Sequence, residues 1–176
     1  SGDTLTVSDV VLRMSDNVGQ LTATLAPITL QDRGDGSVLV SMGRGFPIVY
    51  TEETVINDPT TMALSVMHDG MTVIVDGDVD AMTYAVDAPI YRIQFDSIAG
   101  KAADELEVEQ AFVEFRDVQG NYAMRADDLQ NLTTALTIGG IVAAVSADDP
   151  RGTNRMTANF SLDGFDMQAV MALPKD

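Results

Sequence analysis

The chain reads as an all-β protein: a long, twisted, mainly antiparallel sheet (a meander, a curled sheet or a sandwich) with at most a short helix near the C-terminus. Three observations predict this. Apolar and polar residues alternate with a period of two in Leu5-Thr6-Val7-Ser8, Leu21-Thr22-Ala23-Thr24-Leu25 and Tyr91-Arg92-Ile93-Gln94-Phe95, which sends alternate side chains to opposite faces of a sheet. Turn signals recur about every 8–14 residues, a spacing that suits sandwiches, barrels and curled sheets. Strands this long with so little helical pattern favour an elongated, strongly twisted sheet.

The elements follow in order. Thr4 to Met14 predicts a strand, Ser15-Asp16-Asn17 a turn, and Val18 to Leu30 the returning strand, since Asp and Asn bond locally to a turning backbone. Asp32-Arg33-Gly34-Asp35-Gly36 is a second turn, with glycine free to take positive φ. Val38 to Met42 and Phe46 to Glu53 follow, separated by Gly43-Arg44-Gly45. Thr60 to Met67 and Met71 to Val75 read as a hairpin closed by His68-Asp69-Gly70. Asp80 to Ala88 and Tyr91 to Ser97 continue the meander. Gly100 to Glu107 is a helical turn or a charged loop. Val108 to Val118 is a strand, and Gly120-Asn121 turns into Tyr122 to Ala126. Asp127 to Asn131 reads as a polar turn. Thr133 to Ser146 is long and apolar, with Gly139-Gly140 marking a bend or bulge. After the Asp148–Gly152 loop, Thr153 to Leu162 is a strand that Asp163-Gly164 ends. Asp166 then caps a short helix, Met167 to Leu173, stopped by Pro174.

A chain of 176 residues is enough for one sizeable domain. Residues 1–176 read as a single β-rich domain, built from two hairpin repeats (about 1–60 and 61–125) and a C-terminal segment. Leu21 to Ile28 resembles Thr83 to Ile90, and the two Ala-Pro-Ile triplets, 26–28 and 88–90, lie 62 positions apart. Proline donates nothing to a ladder, so each should mark an edge, a bulge or a crossing between sheet segments.

Composition excludes several classes. There are 27 acidic and 10 basic residues, for a net charge of −17. This opposes nucleic acid and anionic lipid head groups, which need clustered Lys and Arg. With no cysteine, a disulfide framework and a thiol catalyst are out of reach. No apolar run approaches the roughly 20 residues that span a bilayer as a helix. The Ser1-Gly2 start leading at once into a strand reads as a piece of a longer, processed chain.

The residues offer little catalytic chemistry. His68 is the only histidine, so a Ser-His-Asp arrangement would need it. Beside Asp69-Gly70 it reads as a solvated residue at a hairpin tip. A zinc site with one histidine and no cysteine has too few ligands. Asp76, Asp78 and Asp80 alternate, and Asp87 lies eleven residues beyond Asp76, a spacing near that of an EF-hand calcium loop. Yet Ala81 stands where the turn glycine belongs and Asp87 where the bidentate Glu belongs. Charges that blunt a sheet edge explain the same pattern. A carboxylate pair for glycoside hydrolysis has no sequence signature of its own, and the chain lacks tryptophan as a sugar platform. Ten methionines spread along the chain. They read either as core filler or as an adaptable apolar surface.

Gly2 to Leu12, Asp35-Gly36-Ser37-Val38 and Asp80-Ala81-Met82-Thr83-Tyr84 resemble an uncharacterised group of alphaproteobacterial exported proteins, the domain of unknown function 2125. The resemblance covers about the first 100 residues and implies an exported, periplasmic chain with a signal peptide. It carries over no activity and no site residue. Taken together, the expectation is a non-enzymatic periplasmic module without a cofactor, binding a lipid or other hydrophobic ligand on a concave apolar face. The alternative is a structural or interaction subunit of a cell-envelope assembly, with an envelope protein as partner.

Overall fold

Alternating sequence makes long antiparallel strands, each paired along its length with the strand that follows it or precedes it in the meander. The computed structural model describes residues 3–52, 59–126 and 130–173. Among these, twelve strands form one open antiparallel sheet. They are β1 (Thr4–Val7), β2 (Val11–Ser15), β3 (Gly19–Thr24), β4 (Ile28–Asp32), β5 (Val38–Met42), β6 (Gly45–Glu52), β7 (Thr61–Asp69), β8 (Thr72–Gly77), β9 (Ala81–Ala99), β10 (Glu107–Ala126), β11 (Gln130–Asp148) and β12 (Arg155–Leu173). One 3₁₀ turn, Lys101–Asp104, joins β9 to β10. Among the described residues no helix is long and apolar enough to cross a membrane.

Register shows that the first eight strands are four long ones, each interrupted once. β7 pairs β9 from Leu64↔Phe95 to Asp69↔Ile90, and β8 continues the same register from Thr72↔Asp87 to Gly77↔Met82. β1 and β2 run on in the same way against β4 and β3, from Thr4↔Gln31 to Val7↔Ile28 and from Val11↔Thr24 to Ser15↔Gln20. The architecture is therefore an up-and-down meander of eight long strands: β1–β2, β3–β4, β5–β6, β7–β8, β9, β10, β11 and β12.

The interruptions share one row. In the β10–β11 ladder, Arg116↔Gly140 and Val118↔Ile138 flank a missing Asp117–Gly139 rung. In β11–β12 the gap is Gly139–Gly164, and in β9–β10 it is Pro89–Asp117. The gaps Ser8–Val10, Leu25–Pro27, Gly43-Arg44 and Gly70-Met71 extend it across the other long strands. Asp9 (φ 60), Gly70 (φ 65), Asp117 (φ 51) and Gly164 (φ 81) hold left-handed backbone on this crease. Pro27 and Pro89 supply no N–H there. The two Ala-Pro-Ile triplets thus both fall on the crease. It divides the meander into half-sheet I (β1, β4, β5, β8 and residues 81–88, 118–126, 130–138 and 165–173) and half-sheet II (the remainder).

Several expectations are corrected. His68-Asp69-Gly70 closes no hairpin: β7 and β8 are collinear, because β9 offers both a partner in one register. Gly120-Asn121 is no turn, since Gly120 pairs with both Val86 and Leu136 inside β10. Asp163-Gly164 does not end a strand, and Met167 to Leu173 is no helix. Those residues pair with β11 from Leu136↔Met167 to Gln130↔Leu173. A single short helix is marginal, and the long free edge of β11 overrides its local preference. Residues 127–129 of the polar turn, and Pro174, lie outside the described residues.

Aspartates build the tips. Asp16 Oδ1 accepts from the Val18 and Gly19 amides (2.8 and 2.9 Å). Asp35 Oδ1 accepts from the Ser37 amide and hydroxyl (3.0 and 2.5 Å). Asp78 Oδ1 accepts from Asp80 and Ala81 (2.9 and 3.0 Å), and Asp149 Oδ1 from Arg151 (2.9 Å). The amides of Val18 and Gly19 hold the Asp16 carboxyl below its ordinary value. The Ser37 hydroxyl, then its amide, lower Asp35 in the same direction. A depressed folded-state pKa stabilises above the ordinary carboxylate value and loses that contribution as pH falls through the lowered one. Carboxyl NMR titration should find Asp16 and Asp35 protonating below the ordinary aspartate value. Midpoints at or above that value would show that the turn bonds are absent in solution.

The left-handed row also makes a prediction. A β-branched residue at φ 81 costs about 1–2 kcal/mol, so Gly164→Val should lower denaturant-measured stability by that amount. Asp117→Asn should stay within about 0.5 kcal/mol, because Asn tolerates the same backbone.

Candidate functional site: an uncovered apolar face

Rungs of the ladder, read across the strands, alternate in chemistry. One rung of half-sheet I is Leu5, Leu30, Val40, Val73, Val86, Gly120, Leu136 and Met167, with no polar side chain in it. The rung beside it is Thr6, Thr29, Ser41, Thr72, Asp87, Gln119, Thr137 and Asp166, all polar. Adjacent rungs face opposite sides, so half-sheet I has one apolar and one polar face. The apolar set continues in Val7, Ile28 and Met42 and in Met82, Met124, Leu132 and Met171. Tyr84 and Tyr122 pack at a tilt within it, ring centroids 5.7 Å apart.

Half-sheet II has an apolar set of its own. Phe46, Val66, Ile93, Val113, Ala143 and Phe160 share one rung. His68, Tyr91, Phe115, Ile141 and Leu162 share another. Here the sequence phase is reversed. Apolar residues in most strands step by three at the crease: Leu25 to Ile28, Phe115 to Val118, Ile138 to Ile141, Leu162 to Phe165. A single inserted residue in a strand reverses its alternation. The phase change therefore keeps both apolar sets on one side of the bent sheet. Burial agrees, because Val66, His68, Ala88 and Ile138, which border the crease from both halves, are among the few residues the fold buries.

Nothing in the described chain covers this face. Among the described residues only Ala23, Val66, Ala88, Ile138 and Ala147 form a buried apolar core. The accessible surface is 11413 Å², against about 8,300 Å² for a compact monomer of this mass. Met167, Met171, Phe160 and Phe165 are 40, 49, 56 and 39% exposed. Five methionines (Met42, Met82, Met124, Met167 and Met171) sit on the apolar set of half-sheet I, where an unbranched thioether adapts to an irregular neighbour.

His68 is the polar exception. It is 5% exposed, not solvated as its neighbours in sequence suggest. The Met71 amide points at its Nδ1 over a long 3.4 Å, which leaves the hydrogen of the neutral ring on Nε2. Nε2 is buried without a partner among the described residues. Its rung neighbour Tyr91 packs on Phe115 at 6.4 Å, and burial pushes the Tyr91 phenol above its ordinary value.

The acidic candidates sit elsewhere. Asp76, Asp78 and Asp80 lie at the β8–β9 tip, where Asp76 Oδ1 accepts from Gly77 (2.8 Å) and Asp78 holds the turn. Among the described residues no three acidic or histidine side chains are gathered as metal ligands, so the three aspartates are not brought together as a set. The carboxylates with clear shifts, Asp16 and Asp35, move downward, opposite to a general acid. The crease at Asp9 and Asp117 is marked in the sequence by the steps of three between apolar residues, not by a turn motif.

No family model matches the chain, and no curated protein or solved structure is significantly similar to it.

Val66 is the most buried large side chain. Val66→Ala should cost about 2 kcal/mol of unfolding free energy, and Val49→Ala, on the opposite face of the same half-sheet, less than half as much. Equal costs would mean that the two faces are equally solvated.

Proposed function

We propose that this chain is a non-enzymatic, periplasmic β-module that binds a lipid or another long hydrophobic ligand on its bent apolar face. The observation that carries this reading is the eight-strand apolar rung from Leu5 to Met167, left uncovered by the described residues beside an all-polar rung. A rung of eight strands runs about 34 Å, long enough for an extended acyl chain, and each methylene buried there contributes about 0.8 kcal/mol. His68 Nε2–H, unpartnered on the same side, offers one donor to orient a ligand that is otherwise held by apolar contact.

Organic extraction of the purified chain, followed by mass spectrometry and titration with a fluorescent fatty acid, tests the reading. Leu136→Asp should weaken binding at least tenfold, while Gln119→Glu on the polar rung should leave it unchanged. Equal affinities, or no saturable binding by the folded wild-type chain, would overturn it.

A second reading rests on the edges. β12 presents 19 residues, all exposed but Ala169, along an unpaired side of the sheet. An edge of this length accepts an added strand, and such use fits an interaction subunit of a cell-envelope assembly.

A further inference from the structure

We infer that the polar face of half-sheet II carries a second site, for a small hydroxylated carboxylate of the sugar-acid type, centred on Arg92. It is independent of the apolar face, because it opens on the other side of the sheet. A cavity of about 640 Å³ lies there, lined among others by Arg92, Gln94, Gln110, Ser146, Arg155 and Asn159. Two irregularities border it: the β7–β9 register shifts between Ala63 and Leu64, and the β10–β11 register between Val108 and Gln110. Bulges of this kind re-aim side chains beside sites.

One cation of the cavity is paired less closely than the others. Arg155 is engaged by Glu109, which also accepts from the Ser146 hydroxyl (2.9 Å), and it lies 3.8 Å from Asp148. Arg116 Nε donates to Glu114 at 2.8 Å. Arg92 is held differently. Its guanidinium lies 3.8 Å from the centre of the Phe112 ring, and Nη1 is 3.5 Å from Glu114, beyond ordinary hydrogen-bond length. Its Nε–H is buried without an acceptor among the described residues. Stacking fixes the plane of the guanidinium, so its fork is pre-organised for a carboxylate. A buried donor left unmet calls for such a partner.

The lining selects the rest of the ligand. Gln94, Gln110 and Asn159 each donate and accept, as hydroxyl groups require. Arg92 and Arg155 face Glu109 in the lining, with Glu114 and Asp148 beside them, so the site holds no excess of positive charge, which disfavours a dianion.

Titration of the folded chain with D-galacturonate, read by NMR at the Gln and Asn side-chain amides and at arginine Nε–H, tests the site. Saturable shifts at Gln94, Gln110, Asn159 and Arg92 are expected. Arg92→Gln should weaken them at least tenfold. Asn159→Asp on the exposed edge strand, which leaves Arg92 in place, should also weaken them by setting a second carboxylate against the ligand. Absence of saturable shifts, equal binding of the neutral methyl galactoside, equal binding of inorganic phosphate, or unchanged affinity in both variants would overturn the proposal.

Discussion

Every long strand of this sheet interrupts its regular pairing at the same row, and the rest of the structure depends on that coincidence. An antiparallel ladder tolerates an extra residue only as a local bulge. One strand breaking alone would throw its apolar residues onto the wrong face beyond the break. Here the partners break together. Asp117 meets Gly139, Gly139 meets Gly164, and Pro89 meets Asp117, while the rungs on either side stay in register. The row therefore bends the sheet without mixing its faces. Residues as different as Asp, Gly and Pro serve in it because the regular pairing is interrupted there: Asp9, Gly70, Asp117 and Gly164 turn left-handed, and the prolines need no N–H.

The acidity of the chain has two structural uses. Aspartates cap the tips by accepting from the amides of the turn, at Asp16, Asp32, Asp35, Asp78 and Asp149. Others, such as Asp87 and Asp166, occupy the polar rungs that keep one face of the sheet wet. Arginines are few and concentrate their pairing on the polar face of half-sheet II, where Arg92, Arg116 and Arg155 meet Glu114 and Glu109. The two faces differ accordingly: one is apolar and open, the other is polar and internally bonded.

Much of this fold was legible because alternation is a strictly local signal. The strands around Leu21-Thr22-Ala23-Thr24-Leu25 and Tyr91-Arg92-Ile93-Gln94-Phe95, the Asp16 and Asp32–Gly36 tips, and the bend at Gly139 all follow from neighbouring residues. Asp69-Gly70, Gly120-Asn121 and Asp163-Gly164 were read as turns or strand ends, since such pairs carry those meanings in short strands. Their role depends on residues far away in sequence: Gly70 faces Pro89, and Gly164 faces Gly139. No local window contains that information. For the same reason His68 read as solvated, although the crease buries it. The cavity at Arg92 draws on β9, β10, β11 and β12 together, so neither Arg92 nor Phe112 stood out in the sequence.

The contact pattern has a consequence for how this object comes apart. Among the described residues each long strand packs chiefly against the strands it is laddered to, with the 3₁₀ turn against β9, and no second layer ties distant strands together. Such a body behaves as a linear array whose stability is a sum over neighbouring interfaces. Opening then starts at the rims and travels inward strand by strand. β7, β8 and β9 lie at the middle of the array, farthest from either rim, and β1, β2 and β12 lie at its rims. A linear array also tolerates growth, since another strand at either rim adds an interface without disturbing those already formed.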